Sequence, residues 1–210
     1  MAVTSAPART AAIGIATIAW LGLTIQFAAT LGHSGSIAAA LWVILRFFTI
    51  WTNLLVAVVM TGIALGQPGF GSPRQLGLLT LATLLVGIVY NLLLRGLLDL
   101  SGGAKVADHL LHEVVPLLVP LFWLFLAPKG RLAGRDAVWW AAYPLAYLIY
   151  ALIRGGVDGK YPYPFLNVAK LGGLQVATNC LLIGIGFLAA SYCFVWLDRR
   201  LAARPLLAAR

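Results

Sequence analysis

Acidic residues are scarce in this chain. Six Asp and Glu occur among 210 residues, and charged residues of both signs make up 10%, where a soluble domain carries about a quarter. Cysteine is almost absent. Cys180 and Cys193 share one apolar run, and on one helix they are too far apart to bond to each other. No Cys-x-x-Cys or similar ligand spacing occurs, so no metal or other cofactor is expected. Long polar segments are missing too. The longest stretch between apolar runs, Gly155 to Gly173, is a loop and too short for a soluble domain. Apolar residues fill the remainder: 61% of the chain is hydrophobic and its mean hydropathy is +0.94. The net charge of +9 would suggest nucleic acid in a soluble protein. Here the basic residues flank apolar runs, as membrane topology requires, and nucleic acid is not an expected partner.

Six apolar runs are each close to the roughly 20 residues needed to cross hydrocarbon. They predict helices over about 11–31, 37–65, 75–98, 106–126, 136–153 and 174–197. Arg9 before the first run imitates a signal peptide, but that run is too long for an h-region and lacks a convincing cleavage site. The expectation is an all-α polytopic membrane protein: one six-helix bundle over 1–210, with both termini on one side. That side carries Arg9, Arg74, Lys129, Arg131, Arg135, Arg199, Arg200, Arg204 and Arg210; the other carries Arg95, Lys105, Arg154, Lys160 and Lys170. Nine against five predicts cytoplasmic termini.

Ionisable groups beside hydrocarbon are expensive, so each needs a partner or a task. Asp108-His109-Leu110-Leu111-His112-Glu113 concentrates two of the three histidines and two of the six acids. Asp108 with His112, and His109 with Glu113, are i, i+4 pairs on a shared helix face. Pro116 cannot donate to the His112 carbonyl, which predicts a loosened helix just past the histidine. On the second predicted helix Arg46, Thr49 and Asn53 form one stripe. A straight helix from residue 37 would bury Arg46 and Thr49 roughly 14–18 Å below its outer end, with Asp108 to Glu113 within about the first 10 Å of theirs. Asn91 and Arg95 end the third helix at the same level. A polar pocket in the outer half of the bundle is the natural expectation.

Simpler readings exist for each feature. The hexapeptide can be a wet helix end with self-paired charges. His-x-x-His-Glu can suggest a metal site, but it matches no zinc-protease spacing, and His33 offers the only further histidine for a haem. Arg46 can be half of a structural ion pair with Asp108, Glu113 or Asp99. A mid-membrane threonine usually bonds its own helix. Tyr161-Pro162-Tyr163-Pro164-Phe165-Leu166 can be an interfacial anchor or a lid, with Gly155-Gly156 and Gly172-Gly173 as hinges.

Three of these segments, in order, resemble motifs of the androgen-induced-protein family. They are Arg46-Phe47-Phe48-Thr49-Ile50-Trp51-Thr52-Asn53-Leu54-Leu55, Asp108-His109-Leu110-Leu111-His112, and Gly159-Lys160-Tyr161-Pro162-Tyr163-Pro164-Phe165-Leu166. That family consists of multi-pass threonine hydrolases of fatty acid esters of hydroxy fatty acids. The resemblance implies a bacterial relative in the inner (cytoplasmic) membrane, with Thr49 as nucleophile and His112 as catalytic histidine. The family's Asp three residues beyond the threonine is Thr52 here, and its Asn before the histidine is Asp108.

The expected function is therefore hydrolysis of a hydrophobic acyl ester among membrane lipids. Asp108 would orient His112, Arg46 or Asn53 would hold an oxyanion or a substrate carboxylate, and Thr52, Asn91, Arg95, His109, Glu113, Tyr161 and Tyr163 would line the pocket. Two alternatives belong to other classes. A proton-coupled carrier would use the Asp-His-His-Glu cluster as a relay and needs polarity continuing to the inner face; the sequence shows little, with Gln26, Asn179 and Tyr90 as the candidates near mid-depth. A non-enzymatic lipid-binding protein would lack a Thr–His hydrogen bond.

Overall fold

A computed structural model describes residues 5–203; Arg204 and Arg210 of the topology count lie outside them. The described residues are helical with no strand. Eight α-helices follow one another: α1 Ala6–Ser34, α2 Ile37–Ile44, α3 Phe48–Ala64, α4 Pro73–Val89, α5 Gly102–His109, α6 Val115–Leu126, α7 Gly134–Asp158 and α8 Val168–Ala203. π-helical turns extend α4 over Tyr90–Leu94 and join α5 to α6 over Leu110–Val114. Five continuous helical stretches among the described residues are long and apolar enough to cross a membrane, and six if α2 and α3 count as one bent span. The chain forms two compact units, Met1–Ala127 and Pro128–Arg210.

Helix starts follow local chemistry. Ser5 accepts from the Ala8 N–H at 3.4 Å before α1. Ser72 and Gln75 form a reciprocal capping box at α4, with Pro73 at its first position, an arrangement that satisfies two orphan donors.

The helix predicted over 37–65 is not straight. It breaks between Ile44 and Phe48, and α2 and α3 meet at 99°. No Pro or Gly marks the break. Phe47 is extended, at φ −96° and ψ 133°, and the Leu45 carbonyl accepts the indole N–H of Trp51 at 2.8 Å. Trp51 thus serves a backbone group that a continuous helix would have bonded itself. Ile44, Ile50 and Leu111 pack inside the elbow with Leu23, Phe27, Leu45 and Phe47 around them. The expected depth of 14–18 Å assumed a straight helix and is corrected by the bend. Arg46 lies in the elbow and Thr49 is the second residue of α3. A 17-residue helix is about 25 Å long, so Thr49 sits at an end of its span.

α3 runs away from the elbow and α4 returns. Tyr90 at the end of α4 and His112 early in the next span therefore come to the end of the unit where α3 begins. Close approach is possible because Gly87 has no side chain: a Cβ there would lie 3.0 Å from Cβ of Pro116.

In the second unit α7 and α8 hold the Tyr-Pro loop between them. Leu166 is buried with Ala151 and Val176, and the Phe165 carbonyl accepts from the Asn179 amide at 3.0 Å. Tyr163 stacks on Phe165 at 5.2 Å. Gly155 and Gly156 lie inside α7 rather than at a hinge, and the Tyr161 ring occupies the place of a Gly155 side chain. Gly172, at φ 76°, breaks the start of α8. Near the other end, Asp198 is fully buried and accepts the Leu132 N–H at 3.1 Å. Burial holds the Lys129 ammonium below the ordinary lysine value, and the Asp198 charge opposes that shift.

Candidate active site at the elbow of the first unit

Thr49 Oγ1 lies 3.1 Å from His112 Nε2. The other ring nitrogen, Nδ1, faces two acceptors: Asp108 Oδ1 at 3.0 Å and the Asp108 carbonyl at 3.1 Å. A neutral imidazole carries one N–H, and the Asp108 carboxylate and carbonyl facing Nδ1 favour it there. Nε2 is then the acceptor, and the Thr49 hydroxyl donates to it. Hydroxyl, imidazole and carboxylate thus form one directed chain.

The other threonines give the contrast. Thr17, Thr61, Thr80, Thr83 and Thr178 each return the hydroxyl to the carbonyl four residues earlier, the usual behaviour within a helix. Thr49 lies in the first turn of α3, just after the break, where no such helical carbonyl precedes it.

Asn53, buried one turn beyond Thr49, clamps the backbone. Its Nδ2 donates to the Thr49 carbonyl at 2.9 Å and to the Leu111 carbonyl at 3.1 Å, tying the Thr49 segment to the residue before His112. Both amide hydrogens are therefore used within the protein, while Asn53 Oδ1 is buried without a hydrogen-bond partner. Thr52 is fully buried, and Arg46 is buried at the elbow.

The remaining polar residues form an outer cluster. Glu113 pairs with Arg95, and its Oε1 lies 3.3 Å from His109 Nδ1. Both expected i, i+4 pairs are present. The arginine on Glu113 comes from the end of α4, and both Arg95 and His109 are half exposed. Asn91 is exposed and donates to the Gly87 carbonyl at 2.8 Å, so its amide serves its own helix. The loosening attributed to Pro116 runs through the histidine rather than beyond it: Leu110–Val114 is π-helical, closed by the Val115 N–H on the Leu110 carbonyl. Such turns are frequent at functional sites. Tyr161 and Tyr163 belong to the second unit, where they pack as described.

Comparison with protein-family models, curated proteins and solved structures finds no match. The likeness to androgen-induced proteins therefore rests on the three short motifs.

Tyr90 is the residue that sequence reasoning underrated. It stands beside Asn91 in an apolar run, and a tyrosine there needs a partner for its hydroxyl. The hydroxyl donates to Asp108 Oδ2, and the ring stacks on the His112 imidazole with centroids 4.3 Å apart and planes 18° apart. Among the described residues no group of three His, Cys, Asp or Glu side chains converges as a metal site. A groove of about 430 Å³ lined by Trp196, Leu197, Arg200, Leu201 and Ala203 includes none of the predicted site residues.

Proposed function

We propose that this chain is an intramembrane hydrolase of hydrophobic acyl esters, with Thr49 as nucleophile and His112 as general base. The observation that carries the reading is the 3.1 Å contact between Thr49 Oγ1 and His112 Nε2, with Nδ1 held by Asp108. Threonine is a poor nucleophile at its free pKa and needs a base within hydrogen-bond reach. His112 takes the hydroxyl proton as Oγ1 attacks the acyl carbonyl. The tetrahedral intermediate collapses, and the leaving alkoxide receives that proton from His112 Nε2. Water, deprotonated by the same nitrogen, then attacks the acyl-Thr49 ester; collapse releases the acid, and His112 Nε2 returns the proton to Thr49 Oγ1. Asp108 fixes the tautomer and stabilises the transient imidazolium. The oxyanion develops beside the N-terminal, partially positive end of α3, with the Arg46 guanidinium in the adjoining elbow.

The resemblance supplies the substrate class, fatty acid esters of hydroxy fatty acids, and the setting, a bacterial inner membrane. The basic residues favour cytoplasmic termini, which puts the elbow in the outer leaflet half. A relay carrier finds less support. Buried Thr80 and Thr83 spend their hydroxyls on their own helix, Gln26 bonds to Thr30, and Asn179 bonds to Phe165.

The test is covalent labelling of detergent-purified protein by a fluorophosphonate hydrolase probe. Wild type is expected to label. Folded Thr49→Ala and His112→Ala variants are expected to lose labelling, by at least the hundredfold or so that general-base catalysis contributes. A wild type that stays unlabelled while an established serine hydrolase reacts in parallel removes the hydrolase reading.

A further inference from the structure

Asp108 has two oxygens, and only one faces His112. The other, Oδ2, accepts the Tyr90 hydroxyl, while the Tyr90 ring lies nearly parallel to the imidazole. One side chain from α4 therefore grips two consecutive members of the chain from different directions: the acid by a hydrogen bond, the base by its face. An imidazole held only at Nδ1 and Nε2 can still tilt about the line joining its partners; a ring stacked on its face opposes that tilt. A carboxylate held by one oxygen can rotate; a second donor on the other oxygen fixes it.

The backbone around Tyr90 is built to the same end. The π turn begins at Tyr90 and closes with the Arg95 N–H on the Tyr90 carbonyl at 2.8 Å, and the Asn91 amide serves the Gly87 carbonyl in the widened turn. The guanidinium of Arg95 lies 5.9 Å from the Tyr90 ring centre and is anchored on Glu113. Tyr90 thus has neighbours on its own helix as well as its contacts to His112 and Asp108.

From this geometry we infer that Tyr90 is a positioning residue of the site, the fourth member of a Thr49–His112–Asp108–Tyr90 assembly. Its catalytic meaning rests on the hydrolase reading above; its hold on the His112 tautomer does not. Tyr90 does not reach the reacting atoms. It keeps the N–H on Nδ1 and the lone pair of Nε2 aimed at Thr49.

Two variants separate its two contacts. Tyr90→Phe keeps the stacked ring and removes the hydroxyl; Tyr90→Leu removes both. The first readout is the second-order rate of fluorophosphonate labelling. Tyr90→Phe is expected to slow it about tenfold, the scale of one charge-assisted hydrogen bond, and Tyr90→Leu further. The second readout needs no activity: ¹⁵N NMR of His112 in a His33→Gln, His109→Gln background, which leaves one histidine. The intact protein is expected to show the Nδ1–H tautomer, and Tyr90→Phe a mixture of both. If wild type labels and Tyr90→Phe matches it in rate and tautomer, the Tyr90 inference falls and the hydrolase reading stands. If wild type does not label, the hydrolase reading falls and the NMR decides for Tyr90: a mixed tautomer in Tyr90→Phe upholds its positioning role, and an unchanged spectrum overturns it.

Discussion

The side chain that makes the site possible without touching its chemistry is Asn53. By donating to the carbonyls of Thr49 and Leu111 it joins two backbones whose separation sets the Thr–His distance. Removing the donor leaves two buried carbonyls without it, a cost of about 2 kcal/mol. Asn53→Ala is therefore expected to lower the thermal midpoint in detergent. Asn53→Asp should lower it more, because a carboxylate would face both carbonyls; equal midpoints would mean that the clamp does not form. At this scale the sequence was informative about identity and less so about role. Thr49, His112 and Asp108 stood out as polar groups in apolar runs, and both i, i+4 pairs of the hexapeptide are present. Asn53 was assigned to an oxyanion because a stripe on a helix reveals its face and not its partner across the bundle. Tyr90 enters there only as a relay candidate, because one tyrosine in an apolar run has many ordinary explanations.

The elbow between α2 and α3 decides the geometry among the helices. A long run of helix-compatible residues with neither Pro nor Gly at its break reads as one straight span. What stabilises the break is tertiary: the Ile44–Ile50–Leu111 cluster and the Trp51 indole on the Leu45 carbonyl. None of these pairings has a sequence period. Trp51→Phe keeps the ring and removes the donor, and is expected to cost about 1 kcal/mol and to slow probe labelling, since Thr49 lies two residues away. Unchanged midpoint and labelling would show that the elbow does not depend on this bond. The π turns are a second case. Pro116 announced that the helix near His112 would loosen, yet which side of the histidine takes up the extra residue depends on packing against Gly87 and α4.

For the whole molecule, hydropathy alone sufficed for the all-helical class and for helices of membrane length. The division into two compact units has no mark in the sequence, because their linker, Pro128 to Ala133, looks like any other basic loop between apolar runs. Orientation is a proposal resting on the charge count. With Cys180 and Cys193 replaced by Ala, Ser101→Cys is expected to react with a membrane-impermeant maleimide on intact cells, and Gln67→Cys only after permeabilisation. Both positions are exposed. The reverse pattern would invert the topology and move the elbow to the cytoplasmic side. The ion pairs of the half-exposed outer cluster, Glu113 with Arg95 and Glu113 with His109, should matter little to stability.

The most direct measurement is peptide mapping by mass spectrometry of the fluorophosphonate-treated wild-type protein. The hydrolase reading predicts one phosphonylated residue, Thr49, with His112→Ala protein unmodified at that position. An adduct on any other hydroxyl, or Thr49 unmodified in folded protein, would contradict it.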